Sequence, residues 1–116
     1  MELIGDAKML RIFLGSLDIA GGKPLYEAIV QLAHKQGMAG ATVLKGVMGF
    51  GASSLIRTAK TLSLSDDMPV VIEVVDSSDK IDAFVSLVNP YLEHSFYGGL
   101  IMMEKVNVLY YKGAQT

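Results

Sequence analysis

The chain contains 116 residues, of which 51% are hydrophobic, and its formal net charge at pH 7 is −2. This length allows one domain with a real core, and the charge argues against nucleic-acid binding, which needs a clear excess of Lys and Arg. The absence of Cys excludes disulfides and thiolate metal sites. No apolar stretch is long enough to cross a bilayer and no secretory signal is recognisable, so we expect a cytoplasmic protein without direct membrane insertion.

The first half of the chain predicts a strand, a helix and a second strand. Residues 9–14 set one charge among apolar and aromatic side chains, which is typical of a strand. Pro24 lies where a helix would begin, and apolar residues follow at helical spacing until Gly37, which predicts an amphipathic helix. Residues 41–45 predict the second strand.

The second half predicts another strand and helix. Residues 70–75 are β-branched and nearly unbroken, which is typical of a strand. Asp76 is the predicted N-cap of the helix that follows, where apolar residues recur at i, i+3, i+4 and i+7. Asn89 and Pro90 are expected to end this helix, because the residue before a proline is disfavoured in the helical conformation.

The last strand is predicted from Leu100 to about residue 111, after a connector at residues 91–97 and two glycines. Glu104 and Lys105 in its middle suggest either a bulge or a solvent-facing stretch.

The order of these elements predicts the ferredoxin-like, split βαβ arrangement, an α+β fold with four antiparallel strands and both helices on one face. The strand at residues 70–75 is apolar on both of its faces, although two helices can cover only one face of a sheet. We therefore predict a closed homo-oligomer in which the sheet faces point inward.

A glycine-rich loop follows the second predicted strand, in the sequence Lys45-Gly46-Val47-Met48-Gly49-Phe50-Gly51. Residues 28–65 contain no Asp or Glu, whereas four Lys or Arg residues fall within them. Such a cationic, flexible segment in an acidic chain predicts an anion-binding loop. Residues 52–64 are interpreted as a mobile loop with at most short structure. Arg57 is the preferred candidate for a phosphate or carboxylate contact, because its guanidinium can bind both oxygens of such a group.

Two alternatives use the same cleft for another purpose. A small enzyme would take its acid–base groups from Glu73, Glu104 or His94. A metal-tolerance trimer of similar architecture would bind divalent ions, although two isolated His residues make a poor metal site.

The glycine loop, together with residues 22–25 and 64–73, resembles an uncharacterised family of PII-like proteins that is catalogued as a domain of unknown function. The resemblance covers about residues 9–111. Through that family the chain is similar to the PII (GlnB-like) signalling proteins, which are ferredoxin-like trimers with small-molecule sites between subunits. It implies a single PII-like domain over residues 1–116, a homotrimer, and a regulatory rather than enzymatic function. A flexible loop at about residues 47–68 would act on a membrane transporter or an enzyme.

The resemblance also implies a ligand site. Lys45, Gly46, Gly49 and Gly51 match the glycine-rich base of the PII loop, which lines the nucleotide cleft. Gly98 and Gly99 look like the turn whose backbone faces phosphates in PII proteins. The predicted site for a nucleotide or another small anion therefore consists of Lys45, Gly46, Met48, Gly49, Phe50, Gly51, Arg57, Gly98 and Gly99, with no catalytic and no metal-binding residue.

Two departures from the PII pattern are visible. Residues 47–67 contain no Tyr, so the tyrosine modification of some PII proteins is not available. The basic residues of the PII phosphate-binding turn are absent around Gly98, where only His94 lies near. The second departure leaves open whether ATP is the specific ligand.

Overall fold

Four long strands form one antiparallel sheet in the computed structural model, which describes residues 5–51, 56–58 and 67–114. The elements in chain order are β1 (Gly5–Gly15), β2 (Ile19–Ala20), β3 (Lys23–Pro24), α1 (Leu25–Lys35), β4 (Gly40–Lys45), β5 (Met48–Gly49), β6 (Arg57–Thr58), β7 (Pro69–Ser77), α2 (Ser78–Glu93) and β8 (Leu100–Val108). The loop predicted at residues 52–64 lies outside the described residues except for 56–58.

The strand order of the sheet is β4-β7-β1-β8, and every neighbouring pair is antiparallel. The two central strands are therefore β7 and β1, each flanked by an edge strand. This is the order of a split βαβ unit, and the predicted α+β, ferredoxin-like fold is confirmed. Two short hairpins, β2–β3 and β5–β6, add to the predicted elements.

The core lies between the sheet and the two helices. Alternate residues of the central strands point toward the helices, because side chains of a strand alternate between its faces. Each fully buried aliphatic or aromatic side chain contributes about 1.5–3 kcal/mol. The largest buried apolar side chains are Leu10, Ile12, Leu25, Ile29, Val70, Ile72, Val74, Ile81, Phe84 and Val88.

The opposite face of the sheet is apolar and no helix covers it within the described part of the chain. One row across all four strands pairs Leu44 with Val71, Val71 with Phe13, and Phe13 with Leu100. Leu44 is 49% exposed and Leu100 is 48% exposed. We call this surface the open face. The open face agrees with the prediction that the strand at residues 70–75, which is part of β7, is apolar on both sides.

Helix α2 continues past the predicted stop at Asn89 and Pro90 and ends at Glu93. The predicted stop was wrong. Pro90 has no N–H to donate, but its carbonyl can still accept a hydrogen bond from the next turn of the helix. The Pro90 carbonyl accepts from the His94 N–H at 3.1 Å. Packing supplies the rest, since Tyr91 and Leu92 lie against the hydrophobic core. The predicted connector at residues 91–97 is therefore helical in its first three residues.

Asp76 is a buried residue of β7 rather than the N-cap of α2, and the N-cap position belongs to Ser77. Its carboxylate accepts from the N–H of Ala39 at 2.8 Å and from the N–H of Ser77 at 2.6 Å. Lys80 lies 3.3 Å from the same carboxylate. Asp76 thus joins the start of β4 to the start of α2, a contact with a distant segment that the local pattern does not reveal.

Strand β8 ends at Val108, three residues before the predicted end. Its ladder with β1 runs without interruption, pairing Lys105 with Lys8 and Glu104 with Met9. No bulge interrupts this ladder. Of the two alternatives, the solvent-facing stretch is the one observed, because both Glu104 and Lys105 are exposed.

Candidate functional site

A cleft of about 290 Å³ opens where the end of β1, the β5–β6 hairpin and the turn before β8 meet. Its volume is near the lower end of the range for small-molecule sites. The predicted site residues that line it are Gly46, Met48, Gly49, Phe50, Gly51, Arg57, Gly98 and Gly99. Lys45, the remaining predicted residue, is exposed and does not line the cleft. The structure therefore gathers two segments that are about fifty residues apart in the sequence.

The turn before β8 packs closely against β1, and this requires its glycines. Gly98 has a positive φ of 71°, a conformation that residues with a Cβ rarely adopt. A Cβ on Gly99 would lie 3.0 Å from Leu14 Cδ2 and 3.2 Å from the Phe13 carbonyl oxygen. The glycines thus allow the backbone of the turn to form one wall of the cleft.

Arg57 is held by two carboxylates of the protein. Its Nη1 lies 3.6 Å from Asp18 Oδ1 and 3.2 Å from Asp67 Oδ2. The guanidinium occupies the space beside Gly15, where an added Cβ would lie 1.1 Å from Nη1. Because the Arg57 side chain is only 13% exposed, this cation is engaged within the chain. We call Arg57, Asp18 and Asp67 the charge cluster.

Asp18 lines the cleft and is the most unusual member of the charge cluster. It is 1% exposed, and its Oδ2 accepts from the Gly15 N–H at 2.9 Å. Its Oδ1 has no hydrogen-bond partner among residues 5–51, 56–58 and 67–114. Burial raises the pKa of Asp18, and the Gly15 N–H and the Arg57 charge offset this only in part. An unpaired oxygen of this kind is costly unless a ligand or a water meets it.

Sequence reasoning missed Asp18, which lies between the first predicted strand and the first predicted helix. Residues 28–65 do lack Asp and Glu. Their sequence does not show which carboxylates from other parts of the chain contact them in the fold. Asp18 and Asp67 lie outside the segment, one on each side of it in the sequence, and contact Arg57. The available signal was the position of Asp18 between Leu17 and Ile19, where a charged side chain interrupts apolar residues.

The apolar floor of the cleft was also missed. It is formed by side chains of the sheet and of the turn before β8, and strand periodicity alone does not show which strand ends meet at one point. These lining residues are Phe13, Leu14, Val70, Val71, Tyr97 and Leu100.

The groups required by the enzymatic alternative do not line this cleft. Glu73 and Glu104 both contact Arg11 on the open face, with Arg11 Nε 2.9 Å from Glu73 Oε2 and Nη1 bonded to Glu104. The hydrogen bonds that Arg11 donates to Glu104 and Glu73 raise the pKa of Arg11. His94 lines a separate depression beside Ile19.

Two further features concern metals and membranes. Across the described ranges, no three or more side chains of His, Asp or Glu are grouped so as to hold a metal ion. In the same ranges, no helix has the length and apolar character needed to cross a membrane.

The family follows from comparison with other proteins. A family model described as Uncharacterized ACR, DUF190, matches residues 7–108. The chain belongs to this family. A UPF0166 protein of Aquifex aeolicus is 35% identical over 103 residues, covering 89% of this chain and 93% of that protein. The UPF0166 protein of Methanocaldococcus jannaschii is 32% identical over 107 residues, covering 92% and 94%.

Solved structures similar to this DUF190 chain are PII-like. CPII, a nitrogen regulatory PII-like protein from Thiomonas intermedia bound to ADP, AMP and bicarbonate, has a TM-score of 0.69 at 17% identity, covering 89% of this chain and 88% of that one. A putative PII-like signalling protein from Thermus thermophilus has a TM-score of 0.65 at 21% identity, covering 93% of both. The B. subtilis GlnK–ATP complex has a TM-score of 0.56 at 17% identity, covering 90% and 85%. These likenesses show the fold, and the predicted PII-like fold is confirmed.

Proposed function

We propose that this DUF190 protein is a regulator that binds a small anionic ligand, a nucleotide in the first instance, in the cleft beside the charge cluster. The observation that carries this proposal is the convergence of the hairpin base, the end of β1 and the Gly98-Gly99 turn on one cleft. The similar structures of CPII with ADP and AMP and of GlnK with ATP support a nucleotide as the ligand.

The phosphate groups are expected at the Gly98-Gly99 turn. Successive backbone N–H groups near a residue of positive φ form concavities that bind anions, and Gly98 has that conformation. Arg57 is already paired with Asp18 and Asp67. Further positive charge would therefore come from a neighbouring copy of the chain, and we propose a homotrimer in which the open faces meet.

The ligand would act through residues 47–68. Strands β5 and β6 belong to this segment, and Met48, Phe50 and Arg57 line the cleft. A ligand shifts a conformational equilibrium only if it binds the two states with different affinities. A ligand that contacts the hairpin in one conformation and not in the other meets this condition, and the altered segment would then bind or release a membrane transporter or an enzyme.

Nucleotide binding to the full-length chain tests the proposal. We expect ADP, AMP or ATP to raise the melting temperature, because a ligand at one hundred times its Kd stabilises the folded state by about 2.7 kcal/mol. Gly51→Val should weaken binding at least about tenfold. Residue 51 lines the cleft and an added Cβ there meets no described residue within 4 Å, so we expect the new side chain to obstruct the ligand without disturbing the described fold.

Gly113→Val is the matched control, because an added Cβ at residue 113 also has no described neighbour within 4 Å and this residue lies outside the cleft. It should bind nucleotide as the unmodified chain does. If no adenine nucleotide changes the melting temperature of the unmodified chain, or if both valine variants bind equally well, the proposed site is wrong.

A further inference from the structure

The charge cluster limits what the cleft can accept at its β1 end. Asp18, Asp67 and Arg57 together carry one net negative charge when both carboxylates are ionised, and the Asp18 side chain is buried. A phosphate placed there would face two carboxylates that compete for the same guanidinium. A ligand group that donates a hydrogen bond meets an acceptor instead, because Asp18 Oδ1 has no hydrogen-bond partner among the described residues.

A donor meets this buried oxygen only if the Arg57 side chain shifts, and such a shift need not break the whole cluster. The contact from Arg57 Nη1 to Asp18 Oδ1 is 3.6 Å, too long for a hydrogen bond, whereas Nη1 to Asp67 Oδ2 is 3.2 Å. A ligand N–H can therefore replace the weaker contact while Arg57 keeps Asp67. The Gly15 N–H continues to hold the other Asp18 oxygen in place.

The rest of the cleft suits a flat, largely apolar ring. Phe13, Phe50 and Tyr97 line it together with aliphatic side chains and glycine backbone. Aromatic side chains pack well against planar rings, and a purine base combines a planar ring with N–H donors at its edge.

We propose that Asp18 is the specificity residue of the cleft and that its Oδ1 accepts an N–H from a purine base, the amino group of adenine in the first instance. This inference rests on the proposed function and adds the orientation of the nucleotide in the cleft. The base lies at the Asp18 end of the cleft, and the phosphate lies toward the Gly98-Gly99 turn.

The decisive comparison is between AMP and purine riboside 5′-monophosphate, which lacks the amino group and has no N–H donor on its base. Dissociation constants for the full-length protein are measured by isothermal titration calorimetry. We expect AMP to bind about tenfold or more tightly than the analogue, since a hydrogen bond to a charged group has roughly that effect on affinity.

Asp18→Asn should abolish this preference. The amide oxygen can still accept from the Gly15 N–H, which leaves the amide NH₂ in the place of Oδ1. A donor then meets a donor, so AMP should lose its advantage and the two ligands should bind within about threefold of each other. Asp82→Asn is the control that removes the same charge from α2, where Asp82 pairs with Lys8 away from the cleft. It should keep the preference of the unmodified chain.

The outcomes separate this inference from the proposed function. If AMP and the analogue bind the unmodified chain equally well, the assignment of Asp18 is wrong while nucleotide binding stands. If Asp18→Asn is folded and still prefers AMP tenfold, the assignment is also wrong. If neither ligand binds the unmodified chain, the nucleotide proposal fails and this inference fails with it. The comparison on the unmodified chain decides the matter even if the Asp18 variant does not fold.

Discussion

Asp18 is a side chain of the candidate site that makes the fold less stable. Its carboxylate is shielded from water and one of its oxygens lacks a hydrogen-bond partner in the described part of the chain. Burial disfavours the charged form of an acid. The residue therefore makes the folded state less stable when it is ionised, a pattern often found at functional sites.

The pH dependence of stability should show this cost. The pKa of Asp18 is raised above the ordinary value of 3.8, so between the unfolded and the folded pKa the folded state binds more protons. The free energy of unfolding therefore falls as pH rises through that interval. The free energy of unfolding of Asp18→Asn does not fall in this way. Relative to the unmodified chain it should therefore increase from acidic to neutral pH.

Urea unfolding of both proteins across that pH range is the measurement, with Asp82→Asn as the comparison for loss of an exposed charge. A difference between Asp18→Asn and the unmodified chain that is constant with pH would mean that Asp18 titrates at its ordinary pKa in the folded state.

At the scale of elements, the β5–β6 hairpin is fastened to the sheet at two points. Arg57 of β6 reaches over Gly15 to Asp18 and Asp67. Next to the hairpin, the Gly46 N–H donates to the Pro69 carbonyl at 2.8 Å. The hairpin has only two residues in each strand, and so short a hairpin is not stable alone. Its position therefore depends on these contacts.

Gly15→Ala should loosen the hairpin. An added Cβ would lie 1.1 Å from Arg57 Nη1 and 2.7 Å from Asp67 Oδ1, so the guanidinium must move away and leave Asp18 buried without its cation. We expect a loss of about 1–3 kcal/mol in the free energy of unfolding. Amide hydrogen exchange in β5 and β6 should accelerate more than exchange in β1.

Gly40→Ala is the control, because it adds the same methyl group to another strand glycine where the nearest atom, Val75 Cγ1, is at an ordinary 3.5 Å. Equal exchange rates in the hairpin of both alanine variants would show that Arg57 does not fasten it.

The sequence predicted the elements well wherever the signal was local. The periodicities of strands and helices arise from the backbone itself, so all four long strands and both helices were found. The errors concern long-range contacts: α2 passes Pro90 because Tyr91 and Leu92 pack on the core, and Asp76 is held by Ala39. In the site, the glycines were predictable as breaks in the pattern. The pairing of Arg57 with Asp18 and Asp67 was not, because three separate segments meet there.

For the whole molecule, the open face is the apolar surface that the described part of a single chain leaves uncovered. It exposes a row of large apolar side chains, with the ion-paired Arg11, Glu73 and Glu104 beside them. Extended apolar surfaces mark interfaces in most proteins. Paired charges can be buried in such an interface only if they keep their partners, and Arg11 contacts both carboxylates within one chain.

Met102→Asp should disrupt the proposed homotrimer. Met102 pairs with Arg11 on the open face and is 46% exposed, so a carboxylate there would be buried by association at a cost of several kcal/mol. Sedimentation velocity should show the unmodified chain at three times the 12.5 kDa of one chain and the variant at the mass of the monomer.

Met103→Asp is the neighbouring control, since residue 103 is 41% exposed but points to the other side of β8. It should assemble normally. An unmodified chain that sediments as a monomer would contradict the trimer and the proposed contribution of a second copy to the cleft.

The bond between Gly46 and Pro69 has a consequence for how the family can diversify. It joins the two ends of the intervening segment, so the sheet keeps its register whatever lies between them. Each doubling of a closed loop costs only about 0.6 kcal/mol. Insertions and deletions are therefore cheap in this segment wherever they leave the cleft-lining residues and Arg57 in place, and its length can vary while the sheet stays the same.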